Sequence, residues 1–359
     1  MHGLRGTDGT DGVLKWRAVR SKGNMPQRPL FVLLLALALM TAFYWGARPV
    51  SRIPAPCLED TRPELIYVCL QNFQAHILIS IAHARRIGNT RITVLCDDAL
   101  LPRFGAAPGV QLVPVSELQL FRFDERDRMN RSYRDGFWSL CSKRLFCLAA
   151  YMAQQKRSHC YHVENDVLLY VPLEALAVHR DCIYMVADNF QRAVPSLLYL
   201  PSPRCLQPLI DRYDHDESDM RNLRLHSWRH PETTRFFPVL PVCDEYPMPS
   251  AFTSEYDELQ YVFDANAIGQ YLGGVDVRNG EGAGCGYENR DALHKYSHFT
   301  FSWEDKGSAG AALLCPRIWV RGHWAPVANL HVHSKELFPF SFLSPDRPPL
   351  PSPGRADGA

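Results

Sequence analysis

The stretch Cys160–Val171 reads Cys-Tyr-His-Val-Glu-Asn-Asp-Val-Leu-Leu-Tyr-Val. Apolar residues flank three polar ones, Glu164, Asn165 and Asp166, so the two runs read as buried strands with a bend between them. Carboxylates two positions apart in such a bend are not explained by a solvated surface. At a strand end they can converge on one hard cation that prefers oxygen ligands.

Working outward, strands alternate with helices. Leu65–Leu70 is a continuous apolar run of strand length. Phe73–Ile87 carries Ile77, Ile81 and Ala84 at helical spacing and closes on Gly88-Asn89, a C-cap signal. Ile92–Cys96 and Val110–Val115 read as further strands, and the densely charged Asp124–Arg134 as a mobile loop. Phe137–Gln155 is a helix with Cys141, Leu145, Leu148 and Met152 on one face. It feeds a strand over His159–Val163. This alternation indicates βαβ units and a largely parallel sheet, whose ligands bind outside the carboxyl ends of the strands. Asp97-Asp98 and Glu164/Asp166 both fall at such ends. Later, Cys182–Ala187, Ser196–Leu200, Phe299–Trp303 and Arg317–Val320 read as strands, Phe263–Leu272 as a short helix, and Arg212–Thr234 as a polar, charged stretch.

The chain has 359 residues, 46% of them hydrophobic, enough for one sizeable core. A net charge of +1 gives no case for nucleic-acid binding. Leu30–Trp45 is apolar apart from Thr41 and follows Arg5, Lys15, Arg17, Arg20, Lys22 and Arg28. That pattern predicts a signal-anchor helix with a cytosolic N-terminus, or alternatively a cleaved signal peptide. The expected layout is a tail over 1–28, an anchor over 29–47, a stem over 48–63, a single catalytic domain over 64–343 and a disordered tail over 344–359. The domain then faces a lumen or the outside, where the Asn130-Arg-Ser132 sequon acquires meaning. Of the eleven cysteines, Cys57, Cys205, Cys243, Cys285 and Cys315 lie in loop-like stretches and are the candidates for bridges.

An acidic DxD-like triplet after an apolar strand, in a type II membrane layout, resembles the GT-A glycosyltransferases. The resemblance implies a mixed α/β, Rossmann-type sheet flanked by helices. It also implies Mn2+ or Mg2+ held against the diphosphate of a nucleotide-sugar donor, and an acceptor hydroxyl on a glycan, protein or lipid. Glu164 replaces the first Asp of the pattern and Asp166 keeps the last. A second element is Asn329-Leu-His-Val-His-Ser-Lys335, where alternation places His331, His333 and Lys335 on one strand face. It is similar to the ending of glycogenin-like families, which implies metal ligation by Glu164, Asp166 and His333, with His331 as the competing ligand. Lys335 is then a diphosphate contact, and the stereochemical course leans toward retention.

Lys143 and Arg144 are candidate phosphate contacts, competing with a plain solvated helix face. Asp97 is a candidate for the nucleotide base or ribose, against a turn role. Asp264 resembles the Asp that binds sugar hydroxyls at a helix start, and it also fits an N-cap. Asp276, Glu281 and Glu288, in and beyond the glycine-rich loop, are candidates for a catalytic base; spacing singles out none. The reading from another class is a non-catalytic luminal glycan- or nucleotide-binding protein on the same scaffold.

Overall fold

The computed structural model describes residues 62–105, 109–244, 248–276, 278, 284–307, 313–342, 344 and 350–351. The expected anchor, Cys57 and Glu281 lie outside them. Among the described residues no helix is long and apolar enough to cross a membrane.

The strands in chain order are β1 Glu64–Cys69, β2 Ile92–Cys96, β3 Val110–Pro114, β4 Cys160–Val163, β5 Val167–Leu169 and β6 Ile183–Ala187. They continue as β7 Ala193–Leu200, β8 Thr234–Phe237, β9 Val262–Phe263, β10 Phe301–Asp305, β11 Leu314–Val320 and β12 His323–His331. The longer helices are α1 His76–Arg86, α2 Phe137–Gln154, α3 Pro203–Asp211, α4 Asp219–Arg229 and α5 Ala267–Gly273. One sheet runs β3-β2-β1-β4-β7-β6-β8, a second β10-β11-β12-β5, and β9 pairs with β12.

The first sheet is parallel through β3, β2, β1 and β4, and β7 then joins β4 antiparallel. Every residue of β1, β2 and β4 is buried, the pattern of strands covered on both faces. The mixed α/β fold therefore has a parallel-rich central sheet flanked by helices. Leu145, Leu148 and Met152 of α2 are buried as their spacing predicts.

Several elements differ from the reading of the sequence. Asp219–Arg229 is a helix within the stretch expected to be merely polar; Ser218 caps it by accepting from Arg221 N. Asp124–Arg134 is not an open loop: it contains helical turns and ion pairs such as Lys143–Asp124 and Arg131–Asp127. The ten cysteines among the described residues are free thiols, and Cys315 lies buried in β11.

The decisive step is the crossing between sheets. The chain leaves the first sheet at Val163, turns through Glu164–Asp166, and enters the second at Val167, where β5 pairs antiparallel with β12. Asn165 anchors the turn: its Nδ2 donates to Val68 O at 3.0 Å and to Gln74 Oε1 at 2.9 Å.

At the opposite end of β1, Glu64 is 1% exposed. It accepts from Thr93 Oγ1 at 2.5 Å and Tyr151 OH at 2.6 Å, and pairs with Arg91 at 3.1 Å. One carboxylate thus ties β1, β2 and α2 together. Glu64→Ala leaves these donors without their acceptor, so it is expected to cost about 2–4 kcal/mol. A chemical-denaturation midpoint equal to the wild type's would contradict that role.

Candidate functional site

Asp166, His331 and Lys335 meet at the carboxyl edge of the parallel strands. Register brings them together: His331 stands opposite Val167, and Val332 N donates to Asp166 O at 2.9 Å. The Asp166 Oδ2 atom lies 3.0 Å from His331 Nε2 and also receives the Lys335 ammonium. The other ring nitrogen, Nδ1, donates to Ala265 O at 2.7 Å, which fixes the ring's orientation.

Burial alone would raise the Asp166 carboxyl, but His331 and Lys335 outweigh it and hold it well below the usual range. Burial likewise disfavours the His331 cation, yet Asp166 and Glu164 overcome this and lift its pKa to about 9. Because that value exceeds the ordinary 6.5, the imidazolium contributes stability present in full below about 6.5 and lost as pH rises through 9.

Behind this cluster, Arg144 donates to Glu164 Oε1 at 2.6 Å and to Asp219 Oδ2 at 2.7 Å. It joins α2 and α4 to the triplet. Glu164 faces His331 Nδ1 at 3.6 Å through its other oxygen, Oε2, which accepts no hydrogen bond.

Asp264 acts on the site from behind. Its carboxylate accepts from Ile268 N, Gly269 N and His331 N, each at 2.9 Å. Asn329 locks the Asp264 backbone by accepting from its N–H at 3.1 Å and donating to its carbonyl at 2.8 Å. Burial pushes the Asp264 carboxyl up to about 6 against those backbone donors. Gly269 lets α5 approach β12: a Cβ there would sit 1.9 Å from His331 O.

These positions correct several expectations. β12 ends at His331 and the chain turns, with Lys335 at φ +68°, so the three residues do not share a strand face. His331 Nε2 contacts Asp166, and the His331 and His333 rings lie 5.9 Å apart. The triplet's acids do not converge either, because Arg144 draws Glu164 aside. Among the described residues, the set of His, Cys, Asp or Glu ligand atoms all within 4.8 Å of one another is His179, Glu255 and Glu258, and Glu164, Asp166 and His331 are not such a set.

Lys143, one residue from Arg144 and so about 100° round the helix, pairs with Asp124 at 3.0 Å rather than entering the site. Asp97 accepts from Gln71 N at 2.6 Å, joining the loops after β1 and β2. Asp264 gives its carboxylate to backbone donors and is 1% exposed, so it positions rather than binds. Glu288 accepts from Ser297 N at 3.2 Å and Asp276 from Arg278 N at 2.9 Å.

One residue escaped the sequence reading. His76 opens α1, and its Nε2 is buried without a hydrogen-bond partner. Burial lowers its pKa first, while Asp166, Lys335, Asp276 and His331 all act on it electrostatically. Its place just past the end of β1 was the available signal.

The donor set suits a divalent cation: a carboxylate oxygen from Asp166 and an imidazole nitrogen from His331, whose opposite N–H is already committed. Lys335 presently supplies the positive charge beside Asp166.

No family model and no curated protein matches the sequence. The chain is similar in outline to several solved structures. The PaToxG glycosyltransferase is 10% identical, with a TM-score of 0.31 over 57% of this chain and 77% of that one. The glycosyltransferase GlyE of Streptococcus pneumoniae is 10% identical, with a TM-score of 0.30 over 49% and 45%. The mannosyltransferase PcManGT of Pyrobaculum calidifontis, in complex with GDP-Man and Mn2+, is 11% identical, with a TM-score of 0.28 over 58% and 63%. Overlaps of this size carry no statement about this chain's activity.

Gly269→Ala is expected to cost about 1–3 kcal/mol, because α5 and β12 must separate to admit the methyl group. Gly284→Ala, where a Cβ meets nothing within 4 Å, is the control. Equal thermal midpoints for the two variants would refute the close-approach argument.

Proposed function

We propose that the chain is a metal-dependent glycosyltransferase. It moves a sugar from a nucleoside-diphosphate donor to a hydroxyl of a glycan, protein or lipid. The observation that carries this reading is the meeting of Asp166, His331 and Lys335 at the ends of the parallel strands, where open α/β sheets bind ligands.

Asp166 and His331 Nε2 would hold Mn2+ or Mg2+, and a bound ion there supplies Lewis-acid stabilisation to a leaving diphosphate. Ala265 O keeps the proton on His331 Nδ1, so the neutral ring presents Nε2 as a ligand. Lys335, once free of Asp166, offers an ammonium to a diphosphate oxygen. Arg144 keeps the Glu164 charge compensated, so Asp166 is the triplet's available acid. Retention of anomeric configuration is the proposed course, on the resemblance of the His-Lys ending to glycogenin-like families.

The second reading is a nucleotide-binding protein without turnover. In its favour, Asp264 spends its carboxylate on backbone N–H groups rather than on a substrate. Slow Mn2+-dependent hydrolysis of a nucleotide sugar separates the two, since a binder gives none.

A nucleoside diphosphate with Mn2+ should raise the melting temperature of the wild type and not of Asp166→Ala. His331 keeps its proton up to about pH 9 and must lose it to ligate. Ion binding is therefore expected to release about one proton, and affinity to rise about tenfold per pH unit up to about 9. Calorimetry in buffers of different ionisation enthalpy reads both. Binding without proton release, or full binding by Asp166→Ala, would remove the assignment.

We further propose a type II anchor in the Golgi or ER membrane with the catalytic domain in the lumen. Asn130 is exposed, and its Oδ1 accepts from Ser132 N at 2.9 Å. Protein from a secretory pathway that glycosylates Asn-x-Ser sequons should lose mass on endoglycosidase treatment, and Asn130→Gln should not. An enzyme-insensitive wild type made there would argue against a luminal domain.

A further inference from the structure

The amino end of β6 gathers three metal-ligating side chains that the cluster around Asp166 does not use. His179 lies in the turn before β6, where Cys182 N donates to His179 O at 3.1 Å. Glu255 precedes the helical turn Tyr256–Leu259 and Glu258 lies within it. Three positions apart in a helical turn, the two glutamates share one face. His179 Nε2 stands 3.4 Å from Glu258 Oε2 and 3.9 Å from Glu255 Oε2. Ligand atoms of the three residues all lie within 4.8 Å of one another.

Those separations approach the ones a tetrahedral ion requires. Ligands about 2.0–2.1 Å from Zn2+ stand about 3.3 Å from each other, so small side-chain rotations close the set. The chemistry is selective. An imidazole nitrogen with two carboxylate oxygens suits Zn2+ rather than Ca2+ or Mg2+, which take oxygen ligands. Ion pairing alone does not select the arrangement, because His179 and Glu258 are exposed, where a pair contributes little.

The set is also held from behind. Tyr184 is fully buried in β6; its phenol oxygen accepts from His179 N at 3.1 Å and donates to Glu255 Oε2 at 3.0 Å. One hydroxyl thus fixes the backbone of one ligand and the carboxylate of another, as outer-shell groups do around metals. Arg235 Nε, on β8, faces the other Glu255 oxygen, Oε1, at 3.8 Å, which leaves Oε2 to turn toward an ion. The Glu255 side chain is only 11% exposed, while its two exposed partners leave an entry path and a place for water.

We propose that His179 Nε2, Glu255 Oε2 and Glu258 Oε2 form a Zn2+ site, completed by water, that clamps the segment before β9 to the amino end of β6. Through β7, β6 runs parallel to β4, so this site lies at the opposite end of the strands from Asp166. It does not depend on the glycosyltransferase reading. Its reach is structural: the clamped segment leads into β9 and Asp264, whose carboxylate holds His331 N.

The test titrates the full chain, stripped of metal and kept reduced, with Zn2+ against a chromophoric chelator. Asp166→Ala serves as the background, so that ions at the main cluster do not contribute. Into it are placed His179→Ala and Glu258→Gln, both at exposed side chains, and Tyr184→Phe, which removes the hydroxyl but no ligand. Co2+ in place of Zn2+ reports the ligand types by its absorption.

The expected result is one tight Zn2+ equivalent in the background, weakened about 10–100-fold in Tyr184→Phe and at least as much in His179→Ala and in Glu258→Gln. Zn2+ should raise the melting temperature of the background and not that of its His179→Ala variant. Co2+ should show the visible bands of nitrogen and oxygen ligands without a thiolate charge-transfer band. The absence of a tight equivalent, or an affinity unchanged in both His179→Ala and Glu258→Gln, overturns the site. A thiolate band overturns it too, by giving the ion to the cysteines.

Discussion

The pairing of β5 with β12 is the constraint on which the rest of the site depends. It sets His331 opposite Val167 and so beside Asp166, across 165 positions of sequence. β5 has only three residues; what enforces the register is the material behind it. Asn329 grips the backbone of Asp264, Asp264 grips the N–H of His331, and Gly269 lets α5 close over both. A one-residue slip would turn His331 to the opposite face and leave the buried Asp264 carboxylate short of a donor.

Electrostatics explains why the cluster holds together before any ligand arrives. Asp166 and Asp219 are buried acids and Glu164 is half-buried, and each would be costly alone. Arg144 serves two of them, and His331 with Lys335 serves the third. The distribution is uneven in a useful way. Arg144 is a buried, two-armed guanidinium that holds its partners firmly. Lys335 is about a third exposed, on a flexible stem after a turn, so its contact with Asp166 is the one most easily exchanged.

Much of the architecture was legible in the chain. The apolar runs of β1 and β2, the helical face of α2 and the bend at Glu164–Asp166 all follow from local periodicity and from where polar residues interrupt it. The site was legible at Asp166 and Lys335, whose setting at a strand end and in a His-Lys ending marked them. Asp264 reads as an N-cap, but Asn266 holds that position, and the Asp264 carboxylate instead reaches Ile268 N, Gly269 N and His331 N. His76 was missed because a lone histidine opening a helix carries no spacing signal, and α4 because its apolar face is short and its surface heavily charged.

By itself, the sequence determined several of the strands and helices, β1, β2 and α2 among them, and that the acids fall at strand ends. Only the tertiary structure decided which of them meet. It set His331 beside Asp166 through the register of β12 with β5. It separated Lys143 from Arg144 because adjacent helix positions point apart, and it gave Glu164 to Arg144 and Asp264 to the backbone. Local pattern is set by bonds along the chain; partnership is set by register and close approach between segments far apart in it.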